Sequence, residues 1–287
     1  IIPVTFFIIT AFLISAEFEN EGRVNRDVNP LETYCEVNIK ITSADDIDLL
    51  QRNDITVEHY HGNISEGITL VINYAELERL KSTGLRYDIT VSDMSKQFKD
   101  VKSPSAIELQ KSFETLAKDN VSGFSFGSMG GFYTYSEVVQ KLDSMRLVYP
   151  NLISSKQILG LSVENREIWA VKISDNPGVN ESSTEPAVYF DALQHAREPQ
   201  AMASTMYFMY YLLENYGTDS EVTYLLNNRE IFFIPVVNPD GYVYNQTTNP
   251  NGGGSWRKNR KNNGGSCFGV DLNRNYPYGW GDNNGSS

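Results

Sequence analysis

His195 and Glu198 have the clearest capacity for chemistry in this chain, an imidazole and a carboxylate three positions apart. Both are good zinc ligands, since zinc favours nitrogen and carboxylate oxygen in tetrahedral geometry. Two further clusters follow. Trp256-Arg-Lys-Asn-Arg260 puts three cations into a Gly/Asn-rich stretch, where a cation could meet an anion or a developing oxyanion. Asp271-Leu-Asn-Arg274 sets a guanidinium fork beside an amide, suited to bidentate capture of a carboxylate. Each cluster alone also has a plain reading, as a surface histidine, a solvated loop and a turn. A catalytic zinc site takes three protein ligands, yet no histidine follows His195 in the sequence.

The flanking residues say what must position the pair. Ala187-Val-Tyr-Phe-Asp-Ala-Leu193 reads as a buried strand, and Gln200 to Tyr216 as a helix closing on Gly217. Pro199 disfavours the α conformation at Glu198, so the helix begins after it and the pair sits on the strand-to-helix connection. Open α/β sheets place ligand sites at such connections. Further strands are expected at Ile153–Leu159, Glu167–Ser174 and Glu230–Val237, with an amphipathic helix at Ser136–Val148, so this unit reads as α/β. Upstream, strands at Tyr34–Ile41, Asp54–Tyr60, Gly67–Asn73 and Leu85–Val91 interleave with helices at Ser43–Gln51 and Tyr74–Ser82. That order, βαββαβ, is a ferredoxin-like open sandwich. A polar helix at Pro104–Lys118 follows, and the Gly/Ser/Phe-rich stretch Ser122–Gly131 is the expected linker.

Composition excludes some functions. A formal charge of −12 over 287 residues argues against general nucleic-acid binding. Residues 1–14 are almost wholly apolar and break at Ser15-Ala16-Glu17. This run is shorter than the roughly 20 residues of a membrane-spanning helix and is expected to be a secretory signal, residues 1–16. Neither an initiator methionine nor a positive stretch precedes it, so the sequence is expected to begin inside the signal. No second segment could span a membrane, and the mature product is expected to be soluble and secreted. Two cysteines, Cys35 and Cys267, are too few for a disulfide framework and are not expected to pair with each other. Five Asn-x-Ser/Thr sequons begin at Asn63, Asn120, Asn180, Asn245 and Asn284, compatible with secretion.

Taken in order, these motifs closely resemble the zinc metallocarboxypeptidases of the funnelin type, the digestive carboxypeptidase A and B group. The resemblance runs from the signal to about Asp282. It is carried by Phe132-Tyr-Thr-Tyr135, Gly160-x-Ser162, Arg166-x-Ile168, His195-Ala-Arg-Glu198, Asn238-Pro-Asp-Gly-Tyr242, Trp256–Arg260 and Val270-Asp-Leu-Asn-Arg-Asn275. It implies that His195 and Glu198 bind one Zn2+, and that Asp271 orients His195 through a hydrogen bond. Arg260 would polarise the scissile carbonyl and stabilise the oxyanion, and Asn273 and Arg274 would hold the substrate's terminal carboxylate. Arg197 and Arg257 would add positive charge along the substrate groove.

The fold implied is a ferredoxin-like pro-domain followed by an α/β/α mixed-sheet catalytic domain, incomplete in this chain. Residues 17–118 would be an activation segment covering the groove until an activating protease removes it, and residues 119–287 the N-terminal part of the enzyme. The implied partners are peptide or protein C-termini, for a monomer outside the cell. The resemblance also calls for a third zinc ligand, a substrate-covering tyrosine, a general-base glutamate and a specificity residue, all expected after Asn275 and all without a match here. The 287 residues alone are therefore expected to be inactive. A different reading is a non-catalytic relative that binds peptide C-termini without cleaving them. A relative acting on small acylated amino acids is disfavoured by the signal, the pro-segment and Asn273-Arg274.

Overall fold

The computed structural model describes residues 33–57, 60–99, 102, 104–116, 121–265 and 267–277. The expected signal, and the sequons at Asn120 and Asn284, lie outside them. The first unit runs β1 (Tyr34–Ile39), α1 (Ala44–Arg52), β2 (His61–Asn63), β3 (Gly67–Asn73), α2 (Tyr74–Thr83) and β4 (Tyr87–Val91). Its four strands form an antiparallel sheet in the order β2-β3-β1-β4. Alternate residues of β1 and β3, Val37, Ile39, Ile68, Leu70 and Ile72, turn inward against Leu50, Leu77 and Leu80 of the two helices. Period-2 burial on strands and one apolar stripe per helix suffice to build this core. Two helices follow, α3 (Met94–Lys99) and α4 (Ala106–Leu116).

The strand expected at Asp54–Tyr60 is not formed among the described residues, residues 58 and 59 lying outside them. Asp54–Val57 are not in a strand, and the second strand is instead His61–Asn63. Asp54 takes a positive φ of 53°, a conformation that breaks an extended run. The neighbouring backbone groups are satisfied by side chains: Arg79 donates to the Asn53 and Asp54 carbonyls, and Glu76 accepts from the Thr56 amide. Ile55 is still buried, through a loop.

The second unit contains α5 (Tyr135–Val148), β5 (Gln157–Leu161), β6 (Glu167–Ile173), β7 (Ala187–Asp191), α6 (Pro199–Asn215), α7 (Ser220–Leu226), β8 (Glu230–Ile234) and α8 (Pro239–Thr248). Its sheet is mixed, in the order β5-β6-β8-β7, with β7 parallel to β8 and the other pairs antiparallel. A parallel pair needs a crossover, and α6 and α7 supply it. Met202, Met206, Met209, Leu212 and Leu213 give α6 its buried stripe against this sheet. The strand expected from Ile153 starts later, at Gln157, because Ile153 makes only an isolated bridge to Ile173 and its amide closes on Tyr149. Among the described residues no helix is long and apolar enough to cross a membrane.

The expected linker is packed rather than loose. Val121, Phe124 and Met129 belong to the core of the second unit, and the Glu214 carboxylate accepts from Ser122 and Gly123. A Cβ on Gly127 would stand 2.2 Å from the Phe132 carbonyl oxygen, so glycine there allows close backbone contact.

Helix α5 starts from a capping box. Glu137 N donates to Thr134 Oγ1 at 3.2 Å, and the Glu137 carboxylate accepts from Thr134 N at 2.7 Å. Thr134→Ala is expected to lower stability by about 1 kcal/mol. A urea titration should show a lower midpoint with an unchanged slope.

Candidate metal centre

Strand β7 ends at Asp191, and the chain crosses the sheet edge through Ala192 and Leu193 to His195. The crossing is held by backbone bonds from Ala192 N to Ile234 O, Val237 N to Ala192 O and Asn238 N to Leu193 O. Leu193 takes a positive φ of 58°, a costly conformation for a branched residue that marks an over-determined turn. Pro199 opens α6, and Glu198 stays outside the helix at φ −113°, ψ 56°. His195 and Glu198 are thus fixed on one tight connection.

Their side chains converge. His195 Nδ1 lies 3.0 and 3.1 Å from the two Glu198 carboxylate oxygens. Two ligands held tetrahedrally at about 2 Å from one zinc ion stand about 3.3 Å apart, so the pair needs little movement to share a metal. On the opposite side of the ring, Nε2 lies 3.3 Å from Asp271 Oδ1. That contact can hold the Nε2 proton while Nδ1 is left to a metal. Asp271 also accepts from Arg257 Nε at 2.8 Å and from the Asn273 amide at 2.9 Å. Burial by itself would lower the His195 pKa, but hydrogen bonds to Asp271 and Glu198 outweigh it and raise it. Burial alone would raise Asp271, but the His195 hydrogen bond and the Arg257 charge hold it well below the usual carboxylate range. The donor set fits zinc: one neutral imidazole nitrogen, one carboxylate, and a carboxylate behind the ring. Among the described residues the grouping of three His, Cys, Asp or Glu ligand atoms is Asp175, Glu181 and Glu185, which includes neither His195 nor Glu198.

The arginines divide. Arg257 is buried, held by Asp271, with Nη1 3.9 Å from Glu198. In this structure it is a buried member of an ion pair, close enough to Tyr34 and Arg197 to act on their charges. Arg260 lies over the rings of Tyr244 (3.9 Å) and Trp256 (4.2 Å), in cation–π contact on the same loop. Asn273 and Arg274 sit on the short 3₁₀ turn Leu272–Arg274, which Asp271 caps. Arg197 reaches the first unit: its guanidinium is 5.5 Å from the Tyr34 ring centre, and Nη1 donates to the Val71 carbonyl at 3.4 Å. Burial pushes the Tyr34 hydroxyl up to about 12.

Two residues that the sequence reading left without a role at the site organise it. Asn238, which caps α8, donates through Nδ2 to the Gln194 and Lys258 carbonyls, both at 3.0 Å. Asn245, two turns along the same helix, donates to Ala196 O at 3.0 Å and Trp256 O at 2.8 Å, and accepts from Trp256 N. Together they tie the His195 loop to the Arg257 loop. An asparagine directly before a proline is a local signal that could have marked Asn238 as a cap, whereas nothing local marks Asn245.

Residues 138–287 match the zinc carboxypeptidase family. The chain belongs to that family. Carboxypeptidase A2 of Mus musculus is 34% identical over 209 residues, 72% of this chain and 45% of that protein. Carboxypeptidase A1 of Homo sapiens is 27% identical over 288 residues, 98% of this chain and 63% of that protein. Among solved structures, the carboxypeptidase A of Helicoverpa armigera superposes with a TM-score of 0.61 at 25% identity, covering 88% of this chain and 59% of that one. The zinc carboxypeptidase chain described here thus spans less than two thirds of each of these relatives. Its mixed α/β fold matches that of the Helicoverpa armigera structure.

Proposed function

We propose that this sequence is part of a secreted zinc carboxypeptidase zymogen that removes C-terminal residues from peptides and proteins, in a digestive role. The observation that carries the reading is the linked constellation of buried His195, Asp271 and Arg257 with half-buried Glu198 within a zinc carboxypeptidase family member. Residues 1–16 serve as signal, 17–118 as activation segment and 119–287 as part of the catalytic domain. The βαββαβ order and the strand order β2-β3-β1-β4 support a ferredoxin-like activation segment. The contact of Tyr34 and Val71 with Arg197 supports its seat over the substrate side of the site.

Zinc held by His195 and Glu198 would supply Lewis-acid polarisation of a carbonyl and a more acidic bound water. Asp271 holds the ring of His195, and Asn273 and Arg274 are the carboxylate-binding pair. Arg260 is assigned to the oxyanion. A third zinc ligand and a general base are not among residues 1–287 by this reading, so catalysis is proposed for a longer polypeptide containing them. Edge strand β7 supports this, since Val188, Tyr189 and Phe190 are each at least 41% exposed, and an apolar sheet edge is normally covered.

The purified 287-residue chain is expected to retain no stoichiometric zinc after dialysis and to release no amino acid from peptides. A longer product, once the segment 17–118 is cut away, is expected to release C-terminal residues and to lose that activity with a chelator. Tight zinc and peptidase activity in the 287 residues would refute the first expectation. A longer product that binds peptides with free C-termini and never cleaves them would establish the non-catalytic reading.

A further inference from the structure

We propose that Asn63 and Asn180 each carry an N-linked oligosaccharide and that Asn245, the third sequon among the described residues, carries none in the folded protein. The inference rests on the secretory reading above. Transfer joins Asn Nδ2 to the anomeric carbon of a polyprenyl-pyrophosphate-linked oligosaccharide. The C–N bond forms, the sugar–oxygen bond to pyrophosphate breaks, the pyrophosphate leaves with that electron pair, and the amide loses one proton to a base. The acceptor therefore needs an accessible Nδ2 with a hydrogen to give up, and afterwards open space for the glycan.

Asn63 meets these conditions. It closes β2 at the turn into β3, and Asn63 and Ser65 are both exposed. Its Oδ1 accepts from Ser65 N at 2.9 Å and Ser65 Oγ at 2.6 Å, an Asx turn that folds the hydroxyl back on the amide. Nδ2 gives one hydrogen to Glu66 at 3.0 Å, an exposed contact, and keeps the second. Asn180 is alike. Asn180 and Ser182 are exposed in the β6–β7 connection, and Ser182 N donates to Asn180 Oδ1 at 3.0 Å.

Asn245 fails on each count. It is 1% exposed inside α8. Both Nδ2 hydrogens are used, on Ala196 O and Trp256 O. The hydroxyl of its sequon, Thr247 Oγ1, bonds back to Val243 O along the helix. Transfer to Asn-x-Ser/Thr precedes completed folding, so burial does not block it directly. It selects afterwards: a chain modified at Asn245 cannot close the contact between the His195 and Arg257 loops, and is lost from the folded fraction. The two acceptors also lie on opposite sides of the boundary assigned at residue 118, so activation would separate one glycan from the other.

The test places the whole chain behind an established cleavable secretory signal in eukaryotic cells, with the native leader scored in a parallel expression. The native leader is scored after extension by a methionine and a basic stretch, since the sequence is expected to begin inside the signal; its failure then counts against the secretory reading and leaves the glycan readout intact. Protein is deglycosylated by an amidase in heavy-oxygen water and mapped by mass spectrometry. Heavy aspartate is expected at residues 63 and 180, with unchanged asparagine at 245 in soluble material. Asn63→Gln and Asn180→Gln should each remove one glycan, a loss that is readable on total chain even where folding is incomplete. An unmodified Asn63 or Asn180, or a glycan on Asn245 in folded protein, overturns the assignment.

Discussion

Asp271→Ala is expected to destabilise the chain by about 3–5 kcal/mol, because it leaves the Arg257 guanidinium buried without its main partner. Arg257 and Asp271 side chains are each 3% exposed, and Glu198 Oε1 stands 3.9 Å from Arg257 Nη1, a weaker contact than the 2.8 Å bond to Asp271. In a longer, zinc-binding product the same change should weaken zinc about 10- to 100-fold, because His195 loses the group behind its ring. The two effects separate in a double variant. Arg257→Met with Asp271→Ala removes the stranded charge and should recover much of the stability, but not the zinc affinity. Urea midpoints measure the first, and competition against a chelator the second. A depressed carboxylate stabilises fully above its unfolded pKa and less as pH falls through its folded value. The Asp271→Ala deficit should therefore shrink in acid below roughly pH 5, and because the Asp271 hydrogen bond also raises the His195 pKa, it should decline again as pH rises through that value. A deficit below about 1 kcal/mol would mean that the carboxylate does not act as the partner of a buried charge.

What could be read from sequence was what depends on neighbours. The start of α6 follows from Pro199 and the sterics it imposes on Glu198, and the apolar run Ala187–Leu193 announced β7 with its exit toward His195. The strand expected to be buried is nonetheless exposed from Ala187 to Phe190, because it forms a sheet edge. The other failures have one cause, partners far away in the chain. Ile55 and Val57 alternate like strand residues, but Glu76 and Arg79, 20 and 25 positions beyond their partners Thr56 and Asp54, take the backbone bonds that a strand would have used. The glycines of Ser122–Gly131 suggested a linker, whereas Ser122 and Gly123 are held by the Glu214 carboxylate far along the chain. At the site, the residue types of His195, Glu198, Asp271 and Arg257 were legible. The burial of Arg257, and the two asparagines of α8 that join its loop to that of His195, depended on tertiary contacts no local pattern encodes.

The same reasoning gives a second large effect in the sheet that carries the site. Lys172 on β6 meets Glu230 on β8 at 2.8 Å, with side chains 7% and 3% exposed. Lys172 also donates to the Val179 carbonyl, and Glu230 accepts from the Glu181 amide at 3.1 Å. The pair thus pins the β6–β7 connection to the sheet. Lys172→Met is expected to cost about 3 kcal/mol or more, since Glu230 remains as an uncompensated buried charge. Replacing both residues, Lys172→Met with Glu230→Leu, should cost much less, because no charge is left to desolvate. The single variants therefore over-count the pair, and a double-mutant cycle in urea should show that excess as coupling between them. Acid provides an independent check. The hydrogen bond from Lys172 holds the Glu230 pKa below its ordinary value, so its contribution is complete above the unfolded carboxyl pKa and is lost as pH falls through the folded one. In Lys172→Met that support is gone and the Glu230 pKa should rise, so that moderate acid relieves the variant while it weakens the parent chain. Opposite slopes of stability against pH below about pH 5 are the expected signature; parallel slopes would show that Glu230 is not held by Lys172.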